Sequence, residues 1–427
     1  MKIKDAKINF KKESFKAPFG FKGKYVNGLW QVVVRLESEK GNTGLGLGVQ
    51  SVLWSDAGVF SRYSPEGGNA VMFLLTEYAV KNCVNTEFEN PLQLLDILYP
   101  KVLEYGRHLT GCPIRETFAL NALVPIDLAA WQLYAAENGI SDFDEMIGEK
   151  YRKALSVKHE KLACIPLVNY SLGEKEILDL VKQGYFFFKI KVGNDPDKDG
   201  SVEKMLDWDK KRIRQIHELL KDIEIPWTKD GKIPYYLDAN GRYPDKESLK
   251  DFLDYADSIG ALERIIVFEE PFPEEYKEDI RDIPVPVAAD ESAHTVHDAI
   301  ERIGLGYKAI ALKPIAKTLS MSLQIAKVCK ENKIPCFCAD LTVPPLMVDW
   351  NKCVAARLDP LPGMKIGVLE TNGHQNYKDW DQMLLYRPYP NSLWAVQKDG
   401  LFFLDDDFYE KSGGIFEKVP YYEELVL

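Results

Sequence analysis

The chain has 427 residues, 46% hydrophobic and 28% charged, enough for a full core in roughly two domains. A formal net charge of −11, with no run of basic residues, argues against duplex nucleic acid as a partner, because that needs a basic surface. No stretch of about 18 apolar residues occurs, and the N-terminal MKIKDAKINFKKESFKAPFG lacks the apolar core of a signal peptide, so no membrane span and a cytoplasmic location are expected. The cysteine count, an odd 7, fits reduced thiols in that compartment. Cys336 and Cys338 read as small buried residues rather than a metal or redox pair, since a second pair is missing.

Residues 1–50 alternate apolar and polar in three pieces, IKDAKINF, GLWQVVVRLES and LGLGVQ, with a tight turn at EKGNTG between the last two. That predicts an antiparallel meander. The next stretch, 51–71, mixes Gly, Pro and polar residues and is expected to be a loop. Its Trp54, Phe60, Arg62 and Tyr63 suit a lid over a ligand, or a loop packed on its own aromatics. Three helical patterns follow in MFLLTEYAVKNCV, PLQLLDILYPKVLEYGRHL and NALVPIDLAAWQLYAAENG. Residues 1–160 therefore read as an α+β domain.

From residue 161 the pattern becomes strand, then helix, repeatedly. Strands are predicted at CIPLVNYSL, FFFKIKV, YYLDAN, IIVFEEP, VPVAADES, AIALKP, IPCFCADLTV and MKIGVLET. Helices are predicted near 174–183, 202–222, 245–259, 297–303, 319–332 and 349–357. Eight such units over about 200 residues, through 371, indicate a closed parallel (β/α) barrel rather than an open sheet. The tail, 372–427, breaks the pattern. SLWAVQKDGLFFL reads as a hairpin around Lys398-Asp399-Gly400, expected to return to the N-terminal domain.

Five successive barrel strands end abruptly in charge: Lys189 and Lys191, then Asp238, then Glu269 and Glu270, then Asp290 and Glu291, then Lys313. In such a barrel the chemistry sits just past the C-terminal strand ends. Asp238, Glu269 and Asp290 are hard oxygen donors from separate elements, suited to Mg²⁺. The bland alternative is a salt-bridge network at a polar barrel mouth. Glu270 and Glu291 follow presumed ligands, so strand alternation should turn them away to stand behind the site. Lys191 and Lys313 lie across the barrel, where a lysine with a lowered pKa could act as a base on either face of one carbon. Lys189, on the same strand face as Lys191, would lower that pKa further. A lysine forming a Schiff base is a separate class of mechanism, against which the three acids argue.

In this order, KIK (189–191), LDAN, FEEP, ADES and LKP resemble the enolase superfamily, in particular its muconate lactonizing enzyme-like branch. NALVPIDLAAWQLYAAENG resembles the helix at that family's domain junction. The resemblance implies a modified (β/α)₇β barrel (161–371) with an α+β capping domain (1–160) completed by the tail. It implies one Mg²⁺ (or Mn²⁺) per subunit on Asp238, Glu269 and Asp290, and Lys191 and Lys313 as acid and base with Lys189 in support. Asn240, Glu270 and Glu291 would back the ligands, with 51–71 as the capping loop. The chain departs from the Asp-x-Asp of dipeptide epimerases, reading VLETNGH at the eighth strand. It also lacks the His–Asp dyad of mandelate racemases, reading CADLT at the seventh. Asp340 and Glu370 are then candidates to face substrate along with Trp54, Arg62 and Tyr63, while His294 and His374 read as surface residues. The implied reaction removes the proton α to a small-molecule carboxylate through an enediolate, most simply as racemase or epimerase. Acid-sugar β-elimination, cycloisomerisation and succinylbenzoate-type dehydration use the same parts. A non-catalytic barrel and a homo-oligomer stay open.

Overall fold

A computed structural model describes residues 1–21 and 24–427. Strands β1 (Ile3–Phe21), β2 (Lys24–Ser38) and β3 (Thr43–Gln50) form an antiparallel sheet in that order. The β1–β2 arm is much longer than the alternation predicts. Against this sheet lies the helix Glu116–Asn138, buried along most of its length. Glycines on β3 permit the contact: a Cβ at Gly44 or Gly46 would collide with the helix backbone at Ala129 and Pro125.

The 51–71 stretch is helical, not a loop. Val52–Ser55 and Ala57–Arg62 are short helices, and Pro65–Cys83 a long one. Asp56 and Ser64 cap the last two with their side chains, and Pro65 fills a first-turn position where no N–H is needed. The short helices span barely a turn or two, too little to show a period.

The barrel strands are β4 (Lys161–Ile165), β5 (Leu167–Val168), β6 (Phe188–Lys191), β7 (Tyr235–Asp238), β8 (Ile265–Glu269), β9 (Val287–Ala289), β10 (Ala309–Leu312), β11 (Cys336–Cys338) and β12 (Gly367–Glu370). Neighbours pair in parallel, β5 with β6 and onward to β12, which pairs back onto β4. Only Pro166 separates β4 from β5, and its carbonyl still accepts from Lys189 N at 3.1 Å. Lacking an N–H, the proline interrupts one strand rather than two. Counted so, the ring closes with eight strands. Helices cross between consecutive strands except after β8, where 271–286 has none and carries four prolines.

The tail keeps only the turn of its predicted hairpin. Asp399 and Gly400 make that turn with positive φ and Lys398 bridges Leu401, but beyond this bridge strand β13 (Leu401–Phe403) pairs antiparallel with β4. The tail touches the N-terminal sheet as well: Lys378 N donates to Ser14 O at 3.0 Å and Asn9 Nδ2 to Leu425 O at 2.7 Å. All seven cysteines are free, Cys336 and Cys338 among the buried ones. Among the described residues no helix is long and apolar enough to cross a membrane.

Candidate active site

Register builds the site. Lys191 pairs with Asp238, and Asp238 with Glu269, so the ends of β6, β7 and β8 stand level. Asp290 and Glu291 follow β9, and Lys313 follows β10. In the strand order β6-β7-β8-β9-β10, Lys191 and Lys313 sit on opposite sides of the eight-strand ring, and the strands between them deliver the three acids.

On one side, Asp238 Oδ2 lies 2.6 Å from Lys191 Nζ and 3.1 Å from Lys189 Nζ. Lys189 also reaches Glu269 at 2.8 Å and Glu370 at 3.1 Å. Burial opposes its charge, but the three carboxylates outweigh burial and hold its pKa well above the ordinary lysine value. Lys189 is therefore a fixed ammonium. On the other side, Asp290 Oδ2 lies 2.6 Å from Lys313 Nζ and Oδ1 lies 3.2 Å from Lys317 Nζ. Burial opposes the charge on Lys313 too, and Asp290 prevails and raises its pKa. Burial likewise works against the charge of Asp238 and Asp290, yet their flanking lysines pull both well below the carboxylate range. Burial drives Glu269 upward, helped by the charges of Asp238 and Asp290.

The turns after the strands hold this row. Asn240, Glu270, Thr318 and Thr342 all take positive φ without being glycine, a strained backbone that clusters at functional sites. Glu270 Oε2 accepts from Asp290 N at 2.7 Å and from Ser292 Oγ at 3.1 Å, fixing the turn that carries Asp290. Burial and the charge of Glu291 push Glu270 up to about 7. Asn240 Nδ2 donates to Glu291 at 2.8 Å, and its Oδ1 accepts from Lys191 at 2.5 Å. Glu291, which alternation would turn away, instead brings an oxygen within 4.8 Å of oxygens from Glu269 and Asp290. It lies beyond β9, in a turn closed by Ala293 N on Asp290 O, where alternation no longer applies. Asp238 stands outside that tightest group, its Oδ2 engaged by two lysines.

The donor set fits a hard divalent cation. The three expected ligands and Glu291 are all buried carboxylates, and Glu291 Oε2 is buried without a hydrogen-bond partner.

A cavity of about 290 Å³ opens over this row. Lys189, Lys191, Asp238, Asn240, Asp290, Lys313, Asp340 and Glu370 line its floor. Its upper walls come from the β1–β2 arm, through Phe15, Phe19, Tyr25 and Trp30, and from Trp54 and Phe60. Trp54 packs its ring 4.2 Å from Lys313 Nζ. Arg62 and Tyr63 do not line the cavity: Arg62 is exposed and bonds Thr110 O at 3.4 Å. Asp340 and Glu370 line the cavity but are already engaged. Asp340 Oδ2 accepts from Asn372 N at 2.7 Å, while Glu370 Oε2 holds Lys189 and accepts from Asp340 N at 3.2 Å. Burial and Glu370 push Asp340 up to about 6.

The two histidines are not surface residues. His294 bonds Glu274 at 3.0 Å, and burial with nearby Arg115 lowers its pKa to about 3. His374 stacks on Tyr185, and burial lowers it to about 4. Neither lines the cavity. Sequence reasoning missed Lys317 and the β1–β2 arm. Eight lysines among the first 24 residues make that arm look like a solvated edge, and only its aromatics at 15, 19 and 25 signal a covering role.

A family model described as "Enolase C-terminal domain-like" matches residues 174–356. Muconate cycloisomerase 1 from Rhodococcus opacus is 30% identical over 225 residues, covering 50% of this chain and 52% of that protein, so the match spans about half the curated relative. The fold is similar to a dipeptide epimerase from Cytophaga hutchinsonii crystallised with Mg and D-Ala-L-Val (TM-score 0.64, 19% identity, 88% of this chain and 89% of that one). It is equally similar to a mandelate racemase/muconate lactonizing protein from Herpetosiphon aurantiacus (TM-score 0.64, 15% identity, 95% and 96%). Residues 174–356 thus match the enolase C-terminal domain-like family, and the chain as a whole shares the fold of these structures.

Proposed function

We propose that the protein is a Mg²⁺-dependent enzyme that removes the proton α to a small-molecule carboxylate, through an enediolate, and delivers another proton to the opposite face, as a racemase or epimerase. The observation that carries this reading is the opposition of Lys191 and Lys313 across the barrel, with Asp238, Glu269 and Asp290 on the strands between. Residues 161–371 would be the catalytic barrel, 1–160 its cap and 372–427 the completing tail.

Asp238, Glu269 and Asp290 would hold the ion, one per subunit, with Glu291 beside them. Bound Mg²⁺ supplies positive charge to a carboxylate gaining electron density. Lys313, held as an ammonium by Asp290, stands as proton donor on its face, while Lys191 addresses the other face. In the reverse direction the two exchange roles. Lys189 cannot serve as base while three carboxylates hold its proton, and its charge meets the negative charge growing on the substrate. Trp54, Phe60 and the aromatics of the β1–β2 arm keep water away from that charge.

Proton NMR in D₂O with Mg²⁺ and a panel of amino acids, dipeptides and acid sugars tests the reading. Loss of an α-proton signal together with growth of the opposite stereoisomer supports it. Vinylic or 2-keto signals would replace it by β-elimination.

A further inference from the structure

Lys317 stands in no strand-end motif, yet it is 1% exposed beside an expected metal ligand. A turn puts it there. After β10, Lys317 N donates to Lys313 O at 2.7 Å, and Thr318 takes φ +72° before its side chain caps the helix Leu319–Glu331. The chain thus reverses within four residues and carries two lysines to one aspartate. Three donors of the Lys317 ammonium find three acceptors: Asp290 O, Asp290 Oδ1 at 3.2 Å and Ala293 O at 3.0 Å. It does not line the cavity, whereas Lys313 does.

The two lysines therefore hold the two oxygens of Asp290 differently. Lys313 grips Oδ2 through one contact and faces substrate space. Lys317 grips Oδ1 and is tied at the same time to two main-chain carbonyls that fix the turn. Resting on the metal reading above, we infer that Lys317 is an internal counter-ion of Asp290. It reserves Oδ1, limits Asp290 to one oxygen toward a divalent cation, and lets Lys313 leave Asp290 for proton transfer without stranding a buried carboxylate. Lys317 is in this sense a positioning residue, acting through Asp290.

A positive charge this close to a metal ligand repels the metal, so removing it should tighten metal binding. Calorimetric titration with Mg²⁺ and with Ca²⁺ reads the effect on the full chain. Lys317→Met should bind Mg²⁺ about 10-fold more tightly, and Ca²⁺ should gain more than Mg²⁺, because Ca²⁺ readily takes a carboxylate through both oxygens. Lys317→Arg, which keeps the charge, should stay near the wild type. Should Lys317→Met fail to fold, Lys317→Gln retains two N–H donors for the two carbonyls and reads the same quantity. An unchanged or weaker Mg²⁺ affinity, or equal gains for the two ions, overturns the inference. A wild type that binds neither ion would overturn the metal reading itself, a different outcome.

Discussion

Each end of the carboxylate row is an aspartate between two lysines, but the two ends are built differently. At the β6–β7 end, Lys189 and Lys191 come from one strand, two residues apart, so a single strand face delivers both. At the β9–β10 end, Lys313 and Lys317 are four residues apart across a turn. Lys189 reaches three carboxylates, and Lys317 reaches Asp290 and two carbonyls. At the β6–β7 end both lysines line the cavity, whereas at the β9–β10 end Lys313 does and Lys317 does not. The barrel thus sets an aspartate between two lysines on two faces by unlike local structures, and burial lowers the pKa of Lys317 where three carboxylates raise that of Lys189. A lysine on each of two opposite faces is what the proposed reaction, which inverts a carbon and runs both ways, requires.

The comparison breaks first at the two opposed lysines. Lys191→Ala and Lys313→Ala should each lower turnover by roughly 10⁴-fold while calorimetry still detects Mg²⁺ binding. Loss in only one of them would mean that a lysine on each face is not required. Next comes Lys189. Lys189→Met leaves Asp238, Glu269 and Glu370 buried without their shared cation, so urea unfolding should show a loss of about 4 kcal/mol, partly restored by Mg²⁺.

A pH effect follows at the rim. The usual Asp pKa is 3.8, and Asp340 stands at about 6 when folded. The folded chain then keeps a proton that the unfolded chain releases, and stability falls as pH rises from about 4 to 6. Asp340→Asn carries no such loss, so the stability difference should move in the variant's favour by up to about 3 kcal/mol across that window. A flat difference would show that Asp340 ionises normally. The smallest expected effect sharpens the likeness of the two ends: Asp238→Asn and Asp290→Asn should weaken Mg²⁺ by a similar factor, about 100-fold.

Much of this was legible in the sequence because parallel buried strands announce themselves. FFFKIKV, YYLDAN and IIVFEEP are apolar runs ending in charge, and the structure puts β6, β7 and β8 inside them. What failed depends on backbone turns and on burial of polar residues, which periodicity does not encode. Glu291 joins the carboxylates of Glu269 and Asp290 because its strand has already ended. Lys317 looks like a solvated loop lysine until Thr318 turns it inward. The short helices of 51–71 show no period, though Asp56 and the Ser64-Pro65 pair were caps in plain view. The β13 strand chose β4 as partner through contacts distant in sequence.

The most direct test of the two-faced site is α-proton exchange in D₂O measured separately on each stereoisomer of one substrate, with Mg²⁺, for Lys191→Ala and Lys313→Ala. The account predicts opposite selectivity: each variant still exchanges the stereoisomer whose α-proton faces the remaining lysine, and interconverts neither. Exchange of the same stereoisomer by both variants, or of both stereoisomers by either one, would contradict it.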